Sequence, residues 1–261
     1  MPTCLRHLPT KHTTRHVPDR RQPKSLATRT SAVLTLAFLS FSSVIALHYL
    51  TSRARASAPA KAYGFVYSDH AVHSDTIKIE AFFDPICPDS AGAWGPLKEA
   101  LDYYGTRVWL VVHLFPLPYH DNSYAASRAL HIADTLNASA TFPLLELFFK
   151  EQEKFYNSKT SSMSKASVVD HIADFATRVL GERHRAAVLS GFRNIRTDLT
   201  TRLSFKYSAS RGVCGAPFFF VNSILLSDTE SPIDVSRWKN IIDPLISSRG
   251  GATEKHALYR Q

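Results

Sequence analysis

"FFDPICPDSAGAW", Phe82 to Trp94, changes character within a few residues. An apolar run stops at Asp84, and Cys87 is followed at once by Pro88 and a string of small and acidic residues. Proline loses nothing at the first turn of a helix, where its missing N–H would have no partner anyway. The stretch therefore reads as the end of a buried strand, a short turn, and a helix that begins at a cysteine. A thiol in that position gains thiolate character, because helix N–H groups favour negative charge and lower its free pKa of ~8.5. Cys87 is expected to be the most reactive thiol of the domain, titrating below ~8.5.

Working outward, "TIKIEAFF" (Thr76–Phe83) alternates and then becomes continuously apolar, as a strand buried on both faces does. "SAGAWGPLKEALDYYG" carries Trp94, Leu97, Leu101 and Tyr104 at helical spacing, with Gly95-Pro96 expected to kink or interrupt it. "RVWLVVHLFPLP" (Arg107–Pro118) is a second buried strand, completing a βαβ unit with a parallel pair. From His120 the pattern turns helical through "NSYAASRALHIADTL", "FPLLELFFKEQEKFY" and "SKASVVDHIADFATRVLG", the last with a serine cap and a closing glycine. Residues 183–207 read as one more helix. Strands return in "GAPFFFVNSILLSD", two apolar runs around an Asn222-Ser223 hairpin turn, and "SPIDVSRWKNIIDPLI" closes the chain with a capped helix.

This order, with a cysteine after the first long strand, resembles the thioredoxin-like superfamily, in its DsbA-like branch. The resemblance rests on "FFDPICPDS", "LFPLPYHDNSYAASRALHIA", "LFFKEQEKFYN" and "GVCGAPFFFVN", which fall in the right sequence over about Ile77–Ile246. The wording is most similar to plant thioredoxin-like proteins. The fold class it implies is α/β: a thioredoxin-like fold (βαβ…ββα) with an inserted helical block, preceded by an N-terminal hydrophobic helix. The expected organisation is a basic segment (1–30), a hydrophobic span (31–50), a linker (51–75), the domain (76–248) with its insertion at about 120–207, and a tail (249–261). The resemblance also implies a cis bond before Pro217, with the backbone of Ala216 and Pro217 binding an extended substrate beside the Cys87 sulfur.

Ser90 is the departure from that pattern, since a dithiol enzyme has a second cysteine there to attack the mixed disulfide and release the substrate. A serine hydroxyl cannot do this, although it can donate a hydrogen bond to the Cys87 thiolate. Three chemistries fit a monothiol site: exchange resolved by an external thiol, glutathione-dependent reduction, and peptide capture without turnover. The expected activity is a monothiol thiol–disulfide oxidoreductase. A non-catalytic peptide-binding or chaperone-like domain is the alternative, and a glutathione-transferase-like relative a third. Expected partners are a polypeptide or small thiol; no cofactor is expected beyond glutathione as co-substrate. Cys214, three residues before Pro217, is a candidate redox partner for Cys87, provided their Cα atoms approach to about 4.4–6.8 Å. An inert, buried Cys87 is the bland reading.

The remaining polar residues attract less chemistry. Asp84 and Asp89 flank Cys87, where a carboxylate opposes thiolate formation, but both also suit solvated turn and cap positions. His113 on a buried strand reads as a core histidine, and His120-Asp121 as the start of a helix. No metal-ligand spacing or phosphate loop is present in the sequence.

Charge is uneven. Of the 31 Lys/Arg and 22 Asp/Glu, ten basic and one acidic residue lie in residues 1–61, which accounts for the whole net charge of +9. The remainder, 21 of each sign, is neutral, so no basic face is offered to nucleic acid. "SAVLTLAFLSFSSVIALHYL" (Ser31–Leu50) has no charged residue and is long enough to cross a ~30 Å hydrocarbon core. Seven Lys/Arg precede it, so as a signal anchor it keeps the N-terminus cytosolic and sends the domain into a secretory or endomembrane lumen. A cleaved signal, giving a secreted protein, and an organellar transit peptide are the alternatives. Asn137-Ala138-Ser139 is a glycosylation sequon that fits a lumenal glycoprotein.

Overall fold

Residues 77–83 and 108–114 are buried along almost their whole length, and in the computed structural model they form the two central strands of one sheet, β2 (Ile77–Phe83) and β3 (Val108–Leu114). The structure describes residues 63–67, 75–226 and 233–258. The expected basic segment and hydrophobic span (1–50) lie outside the described residues, and none of the described helices is long and apolar enough to cross a membrane.

The strands β2 and β3 run parallel, with Ile77 opposite Val108 and Phe83 opposite Leu114. Pairing is antiparallel from β4 (Phe218–Val221) to β2, from β5 (Ile224–Leu225) to β4, and from β1 (Phe65–Val66) to β3. The sheet order is β1-β3-β2-β4-β5. The hairpin between β4 and β5 turns at Asn222 and Ser223, both at positive φ (49° and 67°) as a two-residue turn of this hand requires. Asn222 also extends the pairing at the start of β2, its N–H donating to the Lys78 carbonyl and its Oδ1 accepting from the Lys78 N–H. Strand β1 lies inside the stretch expected as linker; two residues are too few to show an alternation.

Alternation across the sheet separates two interiors. Ile79, Ala81, Phe83, Leu110, Val112, Phe219 and Val221 build the main core on one face. Trp94 and Leu97 pack into it from helix α1 (Pro88–Tyr104), and Trp238 and Ile242 from the closing helix. Helix α1 runs unbroken through Pro96, contrary to the expected interruption. Gly92, whose carbonyl loses its partner to the proline, faces solvent and can be hydrated there.

Between β3 and β4 the chain is helical: α2 (Ser123–Leu136), α3 (Thr141–Glu151), the short α4 (Asn157–Thr160), α5 (Lys165–Leu180), α6 (Arg185–Arg193) and α7 (Ile195–Ser210). Residues 183–207 are therefore not one helix. Asn194 leaves helical geometry between α6 and α7, and its side chain caps α7 by accepting from the Arg196 N–H at 2.9 Å. The closing helix, α8 (Val235–Leu258), continues into the stretch expected as a tail, with no proline after Pro244 to stop it.

The second face of the sheet presents Glu80, Phe82, His113, Phe218 and Phe220, and α7 covers part of it. Phe205 stacks on Phe115 at 5.1 Å, and the Tyr207 hydroxyl donates to Glu80 Oε1 at 3.1 Å. Arg211 donates to the other carboxylate oxygen at 3.3 Å, and Lys78 Nζ lies 3.3 Å from Oε1. Burial works to raise the Glu80 pKa, but His113 and these cations, with the tyrosine, bring it down to about 2. His113 stacks on Phe82 and sits 3.5 Å from Glu80, and burial pulls its pKa below the ordinary value despite that carboxylate. The strand histidine is a core group that helps seat α7 on the sheet.

Candidate active site

Cys87 occupies the N-cap of α1 in extended geometry (φ −89°, ψ 124°), with Pro88 directly inside the helix. Its N–H donates to the Asp84 carbonyl, and its own carbonyl accepts the first helical bond, from the Ala91 N–H. The thiol donates to the Ala216 carbonyl at 3.5 Å, and the Ala216–Pro217 peptide bond is cis. The two loops that the resemblance brought together, one after β2 and one before β4, thus meet at the sulfur.

The sulfur is not open to solvent. Cys87 is 3% exposed and belongs to an apolar cluster of Phe82, Phe115, Leu117, Val213, Phe218 and Phe220. The expected low pKa is corrected here: the Cys87 pKa lies above the ordinary thiol value. Burial is the largest cause, and the Asp84 carboxylate adds to it. The backbone N–H groups of Ser90 and Asp89 and the Ser90 hydroxyl all act in the opposite direction, as a helix N-terminus should, and are outweighed.

Ser90 is fully buried under the turn, its hydroxyl oxygen accepting from the Asp84 N–H at 3.2 Å. Asp89 is exposed in the first turn of the helix. Asp84 is not the solvated turn residue it resembled: it is 0% exposed. One carboxylate oxygen accepts from the Ile86 N–H at 2.9 Å, the local turn that aspartate favours. The other accepts from the Leu117 N–H at 3.0 Å and lies 2.8 Å from His120 Nδ1. His120 therefore does more than begin a helix. It is held against the residue that shapes the Cys87 turn, across 36 positions of sequence.

Two tyrosines complete the surroundings. The pKa values of Tyr119 and Tyr156 are both raised, first by burial and next by the charge Cys87 carries when ionised, which places both phenols within electrostatic reach of the thiol. The loop bearing Tyr119 is pinned to the segment bearing Tyr156: Asn157 donates to the Tyr119 carbonyl at 3.0 Å and accepts from the Asp121 N–H at 3.0 Å. Nothing in the sequence marked either tyrosine. Cys214 is exposed, and no disulfide joins it to Cys87. Asn137 is exposed just after α2, with its side-chain oxygen accepting from the Ser139 hydroxyl at 2.7 Å.

No protein-family model matches the chain, and no curated protein sequence does. Solved structures do match. A protein from Pseudomonas syringae, provisionally described as a protein-disulfide isomerase, is 20% identical with a TM-score of 0.56 over 70% of this chain and 98% of its own. BdbD from Bacillus subtilis, in its oxidised form, is 10% identical with a TM-score of 0.55 over 71% of this chain and 94% of its own. A cysteine-to-alanine double variant of α-DsbA1 from Wolbachia pipientis is 14% identical with a TM-score of 0.54, covering 74% and 93%. At these identities the likeness is one of fold, and the fold is the DsbA-like form of the thioredoxin fold.

Proposed function

We propose that this protein carries out thiol–disulfide exchange through Cys87 as a monothiol, with Ala216 and Pro217 holding an extended polypeptide or small-thiol substrate beside the sulfur. The observation that carries the reading is the Cys87 thiol at the start of α1, turned toward the carbonyl of Ala216 in front of cis Pro217. In the first step Cys87 attacks one sulfur of a substrate disulfide. A Cys87–substrate bond forms, the substrate S–S bond breaks, and the departing sulfur takes the electron pair and a proton. Ser90 has no thiol with which to displace the bound half. A small external thiol of the glutathione class then attacks the mixed disulfide and regenerates Cys87.

Treatment of the full chain with glutathione disulfide, followed by non-reducing peptide mass mapping, tests this. The expected result is an adduct on the Cys87 peptide that persists in Cys214→Ser and is lost in Cys87→Ser. A Cys87 that never acquires an adduct would overturn the reading. Burial of Cys87 at 3% exposure favours one second reading, a peptide-binding domain without turnover. That reading predicts peptide binding that survives Cys87→Ser.

The proposed setting is a lumen, with residues 31–50 as the membrane anchor and Asn137 as the glycan acceptor. Protease protection of residues 62–261 in intact microsomes is expected, and digestion there would overturn it.

A further inference from the structure

We propose that His120, oriented by Asp84, is the acid–base group of the Cys87 site, relaying the thiol proton to the sulfur that leaves. The proposal rests on the exchange reading above and adds to it the residue that moves the proton.

The hydrogen bonds fix the state of the pair. The Asp84 carboxylate accepts backbone N–H groups at both oxygens, from Ile86 and from Leu117. It behaves as an acceptor only, which is how an ionised carboxylate behaves. The hydrogen between Asp84 Oδ2 and His120 Nδ1, 2.8 Å apart, then belongs to the imidazole. That choice leaves Nε2 as the basic nitrogen. A carboxylate that holds one ring nitrogen and frees the other is the arrangement by which a histidine is made a directed base.

The placement is equally constrained. Asp84 directly follows β2, three residues before Cys87, and shapes the turn on which the thiol sits. His120 stands on the loop after β3, whose Phe115 and Leu117 line the same apolar cluster as Cys87. Its side chain is 21% exposed, so the ring is anchored at one edge and open at another. Tyr119 packs edge-on against the His120 ring at 4.8 Å. Ionisable groups near the thiol include Asp84 and Asp89 near the start of α1, Tyr119 and His120 on the β3–α2 loop, Tyr156 before α4, and Tyr207 of α7, which packs against the same apolar cluster. Of these, His120 is the imidazole that the Asp84 carboxylate holds.

The chemistry needs such a group. The thiol is buried and held protonated at neutral pH, so it must give up a proton as it attacks. The step balances: Cys87 Sγ bonds to one substrate sulfur, the substrate S–S bond breaks, and its electron pair goes to the departing sulfur. The proton released by Cys87 reaches that sulfur through His120 Nε2. The Cys87 sulfur is oxidised as the departing sulfur is reduced, and no other reactant is required.

The test separates proton delivery from structural support. His120→Asn keeps a side-chain N–H where Nδ1 donates to Asp84, but removes the basic nitrogen. Exchange of the full chain is followed with two probes, glutathione disulfide, whose leaving thiol is a poor one, and dithiodipyridine, whose leaving group needs no proton. The expected result is a loss of about 10²-fold on glutathione disulfide, the scale of general acid–base catalysis. A smaller loss should accompany it on dithiodipyridine, where His120 still takes the thiol proton but the leaving group needs none. Equal loss on both probes would mean that no proton is delivered to the leaving sulfur and would overturn the proposal, as would no loss on either. Absence of any Cys87-dependent exchange in the unaltered chain would overturn the exchange reading, and this proposal with it.

Discussion

Acid should loosen this fold at one identifiable residue. His131 lies on the buried side of α2, 5% exposed, with its ring 5.0 Å from that of Phe65 on β1. Its Nε2 has no hydrogen-bond partner. Burial alone pulls its pKa from 6.5 down to about 4. That difference of ~2.5 units, at ~1.4 kcal/mol per unit, corresponds to about 3 kcal/mol. The unfolded chain takes up this proton near the ordinary histidine value, while the folded chain resists it until about 4. Between those limits the unfolded state binds more protons, so stability is full above the window and declines as pH falls through it. The limiting slope for one such group is ~1.4 kcal/mol per pH unit.

Urea denaturation of the chain at pH values on either side of the window measures this. His131→Leu removes the titrating group and keeps an apolar side chain against Phe65. Other groups lose protons to burial or ion pairing as well, His113 and Glu80 among them, so the informative quantity is the difference between the two chains. The acid-induced loss of stability should be smaller in His131→Leu by about 3 kcal/mol. An identical loss in both chains would refute the reasoning, because it would mean that His131 is protonated in the fold as readily as outside it.

Three further outcomes follow from the site. The rate of Cys87 alkylation by iodoacetamide should rise with pH to a midpoint above ~8.5; a midpoint below it would mean that the helix N–H groups outweigh burial. Asp84→Ala should move two readouts in opposite senses. Denaturation should show a loss of about 1–3 kcal/mol for each backbone N–H left without an acceptor, while alkylation of Cys87 speeds up because a nearby negative charge is gone. Ser90→Cys should allow an internal disulfide with Cys87, seen as a loss of titratable thiols on oxidation; two thiols that stay reduced would argue against the helix-start geometry.

The fold was legible where local chemistry and long-range packing agree. Apolar runs mark β2 and β3 because both faces are covered, and Asn222-Ser223 marks its hairpin because asparagine tolerates the positive φ such a turn needs. Cys87-Pro88 announced the helix start, and the resemblance supplied the cis bond at Pro217. What could not be read depends on segments far apart in the chain. The thiol environment is built from Phe82, Phe115, Val213 and Phe218, so the helix effect was visible in the sequence and the burial that overrides it was not. Asp84 looked like a turn residue because it is one; its second oxygen, which holds Leu117 and His120, has no local signature. The aspartate inside an otherwise apolar strand exit was the one available hint, since a carboxylate buried there needs donors.

The raised pKa and the serine have a joint consequence for chemistry. A thiol with a high pKa is a better nucleophile once ionised but a poorer leaving group. At Cys87 the first property is limited by the small thiolate fraction, which is where a directed base at His120 would act. The second bears on the mixed disulfide. A reluctant leaving group makes the Cys87–substrate bond slow to break at the Cys87 sulfur, and Ser90 removes the internal route that would bypass that difficulty. Burial restricts the approach of an external thiol further. All three features lengthen the life of the covalent complex, whereas a rapid dithiol oxidant needs a strongly acidic attacking thiol that leaves easily. On the proposed exchange reading, the site is better suited to holding a captured thiol until an external partner arrives than to fast oxidation, and Asp84, by adding its charge beside the sulfur, reinforces that bias.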